Sequence, residues 1–293
     1  MLTSKVTLLV ILLSVFFYNF AVAANYPCPS NGSGSKHGNL GARYWLDSVY
    51  DLAEQETRRA IEHDPNCSMW HQNLGFILDS QGRKFESIQS LLKSIEVDNN
   101  WCSSFKTGSH LKLGMLYYRT RNHEESINAL MNAFRSGKNE KSDDMTMRQI
   151  LIYLSYNYTD SKGDGAQFYN LKSALELTKK AAEHTPGELS VEFSFAKIFA
   201  LGDKHEEAEA KLEQIISRQE KSDEPSPYAY VSTAFIYSIM SNPVKSAKYA
   251  EKAIDLYPGY ANYLLEELDK DFVNVASSEE MAPVIAKAQA LLR

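Results

Sequence analysis

Apolar and small residues recur along this chain with two nested periods. Residues 50–66 carry a helix-spaced pattern that closes on a proline, and residues 84–100 carry it again. Ala53 corresponds to Ser87, Ala60 to Ser94 and Pro65 to Asn99, each 34 positions further on. A fixed period of about 34 residues enclosing helical spacing predicts helix–turn–helix units stacked into a solenoid. One such pair cannot cover its own apolar face, so each unit needs its neighbours.

The same pattern continues through the chain. Leu74-Gly75, Leu113-Gly114, Leu154-Ser155, Phe195-Ala196 and Thr233-Ala234 each mark the middle of a first helix, and Leu40-Gly41 begins the series. Three positions later stands an aromatic residue or leucine: Tyr44, Leu78, Tyr117, Tyr158, Phe199 and Tyr237. Ala53, Ser87, Ser126, Ala174, Ala208 and Ser246 open the second helices, where a larger side chain would push two antiparallel axes apart. Five extra residues enter between the second and third units, and a longer turn over residues 159–169 splits the fourth. Two further helical patterns, 260–269 and 278–292, are expected to cap the last unit.

These residues resemble the tetratricopeptide repeat family: Leu-Gly, the aromatic residue three on, the small residue opening the second helix and the closing proline. Pro65, Pro186 and Pro258 keep that proline, while Asn99, Lys138 and Glu220 depart from it. The resemblance implies an all-α, right-handed superhelical solenoid of about six repeats over residues 39–259, with capping helices over 260–293. It also implies a role in docking peptides and other proteins.

The first 38 residues follow a different rule. Lys5 precedes an apolar run over residues 6–18, and Ala21-Val22-Ala23 supplies small residues at signal-cleavage spacing. A run of 13 is short for a bilayer core, which needs about 20 residues. Residues 1–23 therefore read as a secretory signal peptide; the rival is an uncleaved anchor stretched over residues 6–24. Residues 24–38, rich in Gly, Ser and Pro, read as a flexible arm.

Composition narrows function mostly by exclusion. A net charge of −6 gives no electrostatic support for nucleic-acid binding. Seven histidines share repeat positions in pairs (His63 with His184, His71 with His110, His123 with His205), so register spreads them along the array. No metal-ligand spacing, nucleophile elbow, phosphate loop or dinucleotide turn occurs, and we expect no metal, no cofactor and no enzyme activity. Glu124-Glu125 and Glu206-Glu207 sit at helix starts, where the macrodipole favours them.

Three cysteines allow at most one internal disulfide in an oxidising compartment. Cys67 and Cys102 follow the ends of second helices in successive units; turns about 10 Å apart exceed the roughly 7 Å a disulfide tolerates. The longer loop at Trp101 offers a way to close that gap, and Cys28 competes for either partner. Asn31, Asn66 and Asn157 begin glycosylation-acceptor triplets.

In the tetratricopeptide family, first helices line the concave face. Register on that resemblance assigns the groove to Phe76, Asp79, Leu111, Met115, Tyr118, Arg119, Ile152 and Tyr156, then Phe193, Lys197, Tyr228 and Phe235. Few of these are cations, so the clamp by which some relatives hold acidic C-terminal peptides is not expected. The stripe is either a groove for an apolar or amphipathic partner segment, or packing between helices. The expected function is a non-enzymatic interaction scaffold of the periplasm, envelope or exterior, with a protein or peptide as partner. The alternatives are a membrane-anchored co-chaperone-like adaptor with an uncleaved N-terminal segment, and a secreted effector binding a host protein.

Overall fold

The computed structural model describes residues 32–97, 103–160 and 163–292. The signal-peptide expectation, Cys28, Asn31 and Cys102 lie outside these residues, and with them both disulfide alternatives. Among the described residues there are fourteen α-helices and no strand. They fall into two compact units that meet at Tyr169/Asn170.

The first unit holds α1 (Gly32–Leu46), α2 (Tyr50–His63), α3 (Ser68–Ser80), α4 (Lys84–Glu96), α5 (Ser103–Arg119), α6 (His123–Glu140) and α7 (Asp144–Thr159), followed by a 3-10 turn at Gly163–Phe168. The second holds α8 (Leu171–His184), α9 (Leu189–Leu201), α10 (His205–Glu220), α11 (Pro227–Ile239), α12 (Pro243–Leu256), α13 (Tyr260–Glu266) and α14 (Met281–Leu291). The division falls within the fourth repeat, at its longer turn.

Small residues set the distance between paired helices. A Cβ on Gly75 would lie 2.7 Å from Leu91 Cγ, and one on Gly114 would lie 2.4 Å from Leu130 Cγ. The small residue opening each second helix has no exposed surface in any of the six repeats. Where it is serine it does more than fit. Ser87, Ser126 and Ser246 each donate a hydroxyl hydrogen bond to the carbonyl twelve residues earlier, Gly75, Gly114 and Ala234, at 2.7, 2.8 and 2.9 Å. These bonds tie the two helices of a pair together where no water can reach them.

The turns inside the pairs repeat just as strictly. Ser48, Gly82, Arg121, Asp203 and Ser241, each seven residues after the small residue of a first helix, all have φ between 52° and 79°. The next residue donates its N–H five positions back: Val49 to Tyr44, Arg83 to Leu78, Asn122 to Tyr117, Lys204 to Phe199 and Asn242 to Tyr237, at 2.8–2.9 Å. This is a Schellman ending, which satisfies a carbonyl the helix itself cannot. Only one of the five positions is glycine.

Second helices are amphipathic, whereas first helices are enclosed by neighbours: α3 and α7 each have eleven buried residues. In the first unit the core runs across three repeats through Trp45, Ile77, Leu91, Leu113 and Leu116. In the second, Tyr230, Tyr237 and Phe272 are the largest fully buried side chains. Phe272 and Val275 come from the turns between α13 and α14, so this segment contributes core as well as connection.

Residues 32–38, expected to belong to a flexible arm, are helical instead, and residues 24–31 lie outside the described residues. Glycine costs helix stability in isolation, but here it permits contact. A Cβ on Gly38 would lie 2.2 Å from the Trp70 ring. Tertiary packing outweighs local propensity at this position.

Candidate functional site

The first-helix face of the first unit is built from α3, α5 and α7. At its α3–α5 junction Asp79, with 8% of its side chain exposed, accepts a 2.6 Å contact from Lys112 Nζ. Arg119 Nη2 donates to both Asp79 oxygens at 2.7 and 2.8 Å. Burial pushes the Asp79 carboxyl up, but the charges and hydrogen bonds of Lys112 and Arg119 outweigh it and hold it below the usual carboxylate range. Burial pulls the Lys112 ammonium down, and Asp79 opposes that. Lys112 Nζ also lies 5.5 Å from the Phe76 ring centroid, a cation–π contact.

Beside this network three tyrosines meet. Tyr118 of α5 lies 5.9 Å from both Tyr153 and Tyr156 of α7, and those two are 5.6 Å apart. All three are half-buried. Tyr118 also meets the His123 ring edge-on at 5.9 Å. Arg121, in the left-handed turn, pairs with Asp160 at the end of α7. The register residues of this face thus divide: Phe76, Leu111, Met115 and Ile152 are buried, whereas Tyr118 and Tyr156 keep part of their rings open and Arg119 is exposed. Lys112 and Tyr153 were not assigned to the face from sequence, although both stand two residues before the small residue of a first helix.

In the second unit, α9 and α11 bring the remaining register residues together. Phe193, buried, meets Tyr228 edge-on at 5.8 Å, and Lys197 Nζ lies 5.5 Å from the Phe235 ring centroid. Tyr228, Lys197 and Phe235 are half-buried. The phenols nearby are hard to ionise: burial pushes Tyr260 up to about 12, and Tyr263, which donates to Asp271 at 3.0 Å, is raised as well.

No protein-family model matches the chain. The chain is 26% identical over 166 residues to the regulatory protein RapG of Bacillus subtilis, a match over 55% of this chain and 42% of that protein. It therefore spans less than half the length of this curated relative. Among solved structures, a tetratricopeptide repeat protein from Parabacteroides merdae superposes with a TM-score of 0.59 at 17% identity, over 89% of this chain and 99% of that one. PilF of Pseudomonas aeruginosa gives 0.55 at 15% identity over 82% and 98%. MamA of Desulfovibrio magneticus, from residue 41 to its end, gives 0.54 at 14% over 66% and 99%.

The fold is the tetratricopeptide-repeat fold.

Within that fold several of the histidines have close packing partners. His123 is buried, with Nδ1 3.0 Å from Asn157 Oδ1 and Nε2 3.2 Å from Asp160 Oδ2. His71 Nε2 lies 2.8 Å from the Pro65 carbonyl, and His37 stacks on His63 at 5.5 Å. Among the described residues, no group of three or more His, Cys, Asp or Glu is placed to hold a metal ion. Asn157 is fully buried in the folded protein, its Nδ2 donating to Ser126 Oγ and the Tyr153 carbonyl, so this acceptor triplet serves packing. Asn66 is exposed. No helix of the described residues is long and apolar enough to cross a membrane.

Proposed function

We propose that this protein is a non-catalytic docking scaffold that holds a segment of a protein partner on the first-helix face of its repeats. The observation behind this is the pairing of half-open tyrosine rings with an anchored, exposed arginine on α5 and α7. Aromatic rings and arginine supply most binding energy at protein interfaces. A guanidinium already held by Asp79 loses little freedom when a ligand arrives. The tetratricopeptide fold supports the same role, and the RapG match covers a protein described as regulatory.

The face can be tested without knowing the partner. Selection of displayed random 12-residue peptides on the chain from Ala24 onward should enrich sequences that no longer bind Tyr118→Ala/Tyr156→Ala. Equal enrichment on the folded double variant would remove the groove. Phe76 is a poor site for this test, because it is buried beneath Lys112 and its loss would loosen the core.

We place the scaffold in an exported compartment, periplasm or envelope, on the apolar run of residues 6–18 and the small residues at 21–23. N-terminal sequencing of the protein from its host tests this: a chain beginning near Ala24 supports export by cleavage, and retained residues 1–23 support a tether.

A further inference from the structure

Four of the ten residues from 32 to 41 are glycine, a composition that does not hold a helix by itself. Packing holds this half of α1 instead. Gly38 lies against the Trp70 ring of α3, and Gly41 lies so close to Thr57 of α2 that a Cβ would be 2.4 Å from its hydroxyl. That packing carries a penalty. Trp70 Nε1 and Thr57 Oγ1 are buried with no hydrogen-bond partner among the described residues, and both regain water if the helix lifts. The other half of α1 is anchored more firmly: Ala42 and Trp45 belong to the core, and Trp45 Nε1 donates to Ser80 Oγ at 2.9 Å.

A charged contact ties the glycine half down. His37 Nδ1 lies 2.5 Å from Glu56 Oε2 on α2, and Arg59 Nη1 donates to the other carboxylate oxygen at 2.6 Å. The Glu56 side chain is 9% exposed and that of His37 27%. His63, in the last turn of α2, stacks on His37 with ring centroids 5.5 Å apart. The charged and titratable groups around His37 are therefore Glu56, Arg59 and His63 of α2 and Lys36 of its own helix, while α3 meets this stretch through Trp70. Of the two stacked rings, it is His37 that has the carboxylate within hydrogen-bonding distance. The His37 hydrogen bond, with the Arg59 charge behind it, outweighs burial and holds the Glu56 carboxyl below its usual range.

We propose that residues 32–41 are a pH-operated latch: His37 as imidazolium clips them onto Glu56, and loss of its proton to solvent lets them lift off Trp70, with Gly41 as the hinge. A neutral imidazole still has an N–H to offer, but the attraction between opposite charges at a buried carboxylate is gone. Histidine is the side chain that changes charge between about pH 5 and 8. Glycine and the two stranded polar groups leave docking finely balanced, so this one contact decides it. The latch is closed where His37 is charged and Glu56 ionised. It opens as pH rises and His37 loses its proton, and again in acid, where Glu56 takes one up. Opening bares the Trp70 ring, 1% exposed when closed. The latch is independent of the tyrosine–arginine face.

Hydrogen exchange of the protein at pH 6 and pH 8 tests this, read as protection factors so that the intrinsic pH dependence of exchange drops out. The amides of residues 36–41, which lie beyond the unpaired first turn of the helix, should lose about tenfold in protection at pH 8. Residues 42–46 and α8–α14 should keep theirs. His37→Gln, neutral throughout, should show the low protection at both pH values, and His63→Gln should keep the wild-type fall; circular dichroism establishes that both are folded. Wild-type protection that is equal at the two pH values, or absent already at pH 6, would overturn the latch whatever the variants do. A fall that persists in His37→Gln, or one that disappears in His63→Gln, would overturn it as well, because the titrating group would then not be His37.

Discussion

Lys112 is a charged side chain at a position that the repeat pattern gives to packing. Burial lowers its pKa, Asp79 2.6 Å away opposes that, and Asp79 in turn is held by Arg119. Removing one member of such a network strands the others. Asp79→Ala should cost about 3–5 kcal/mol at pH 7, whereas Asp79→Leu/Lys112→Met should cost much less; urea denaturation checks both. The folded Asp79 pKa is depressed, so its contribution is present above the unfolded value near pH 4 and lost as pH falls through the folded value. Stability of the double variant should accordingly fall less steeply than wild type below pH 4. None of this network was legible in sequence as a unit. Register gave Asp79 and Arg119 separately, but only the packing of α3 on α5 brings them onto Lys112.

At the scale of the element, spacing in the sequence carried most of the fold. The twelve-residue interval between Gly75 and Ser87, repeated at Gly114/Ser126 and Ala234/Ser246, corresponds to a hydrogen bond across each helix pair. Gly32–Gly38 was not legible, because its helix depends on the distant Trp70 rather than on local propensity. The intra-pair turns show a second limit of sequence. A left-handed residue is required seven positions after each small residue, yet Ser, Arg and Asp fill four of the five places. Asp203 is almost wholly exposed and has φ of 57°. Asp203→Gly should therefore stabilise the protein by about 0.5–1 kcal/mol by thermal or urea unfolding; a loss of stability would mean that its side chain holds the turn. The groove register was partly readable in the same way. Exposure of Tyr118 and Tyr156 and burial of Phe76 and Met115 depend on neighbouring helices, which spacing does not specify.

For the whole molecule, each compact unit has its own core, and contacts in such arrays are made with sequential neighbours. Leu91→Ala empties a fully buried position in the first unit and should cost about 2–5 kcal/mol. Hydrogen exchange should show the lost protection in α1–α7, with α8–α14 nearly unchanged; uniform loss across both units would mean that they unfold as one. The central claim is that the first unit's tyrosine–arginine face is where a partner docks. Its most direct test is affinity capture from native extract with paired wild-type and Tyr118→Ala/Tyr156→Ala proteins, both shown to be folded, read by mass spectrometry. Docking on this face predicts a saturable partner present with wild type and absent with the variant. The same partner retained by both would contradict it and move the interface elsewhere on the repeats.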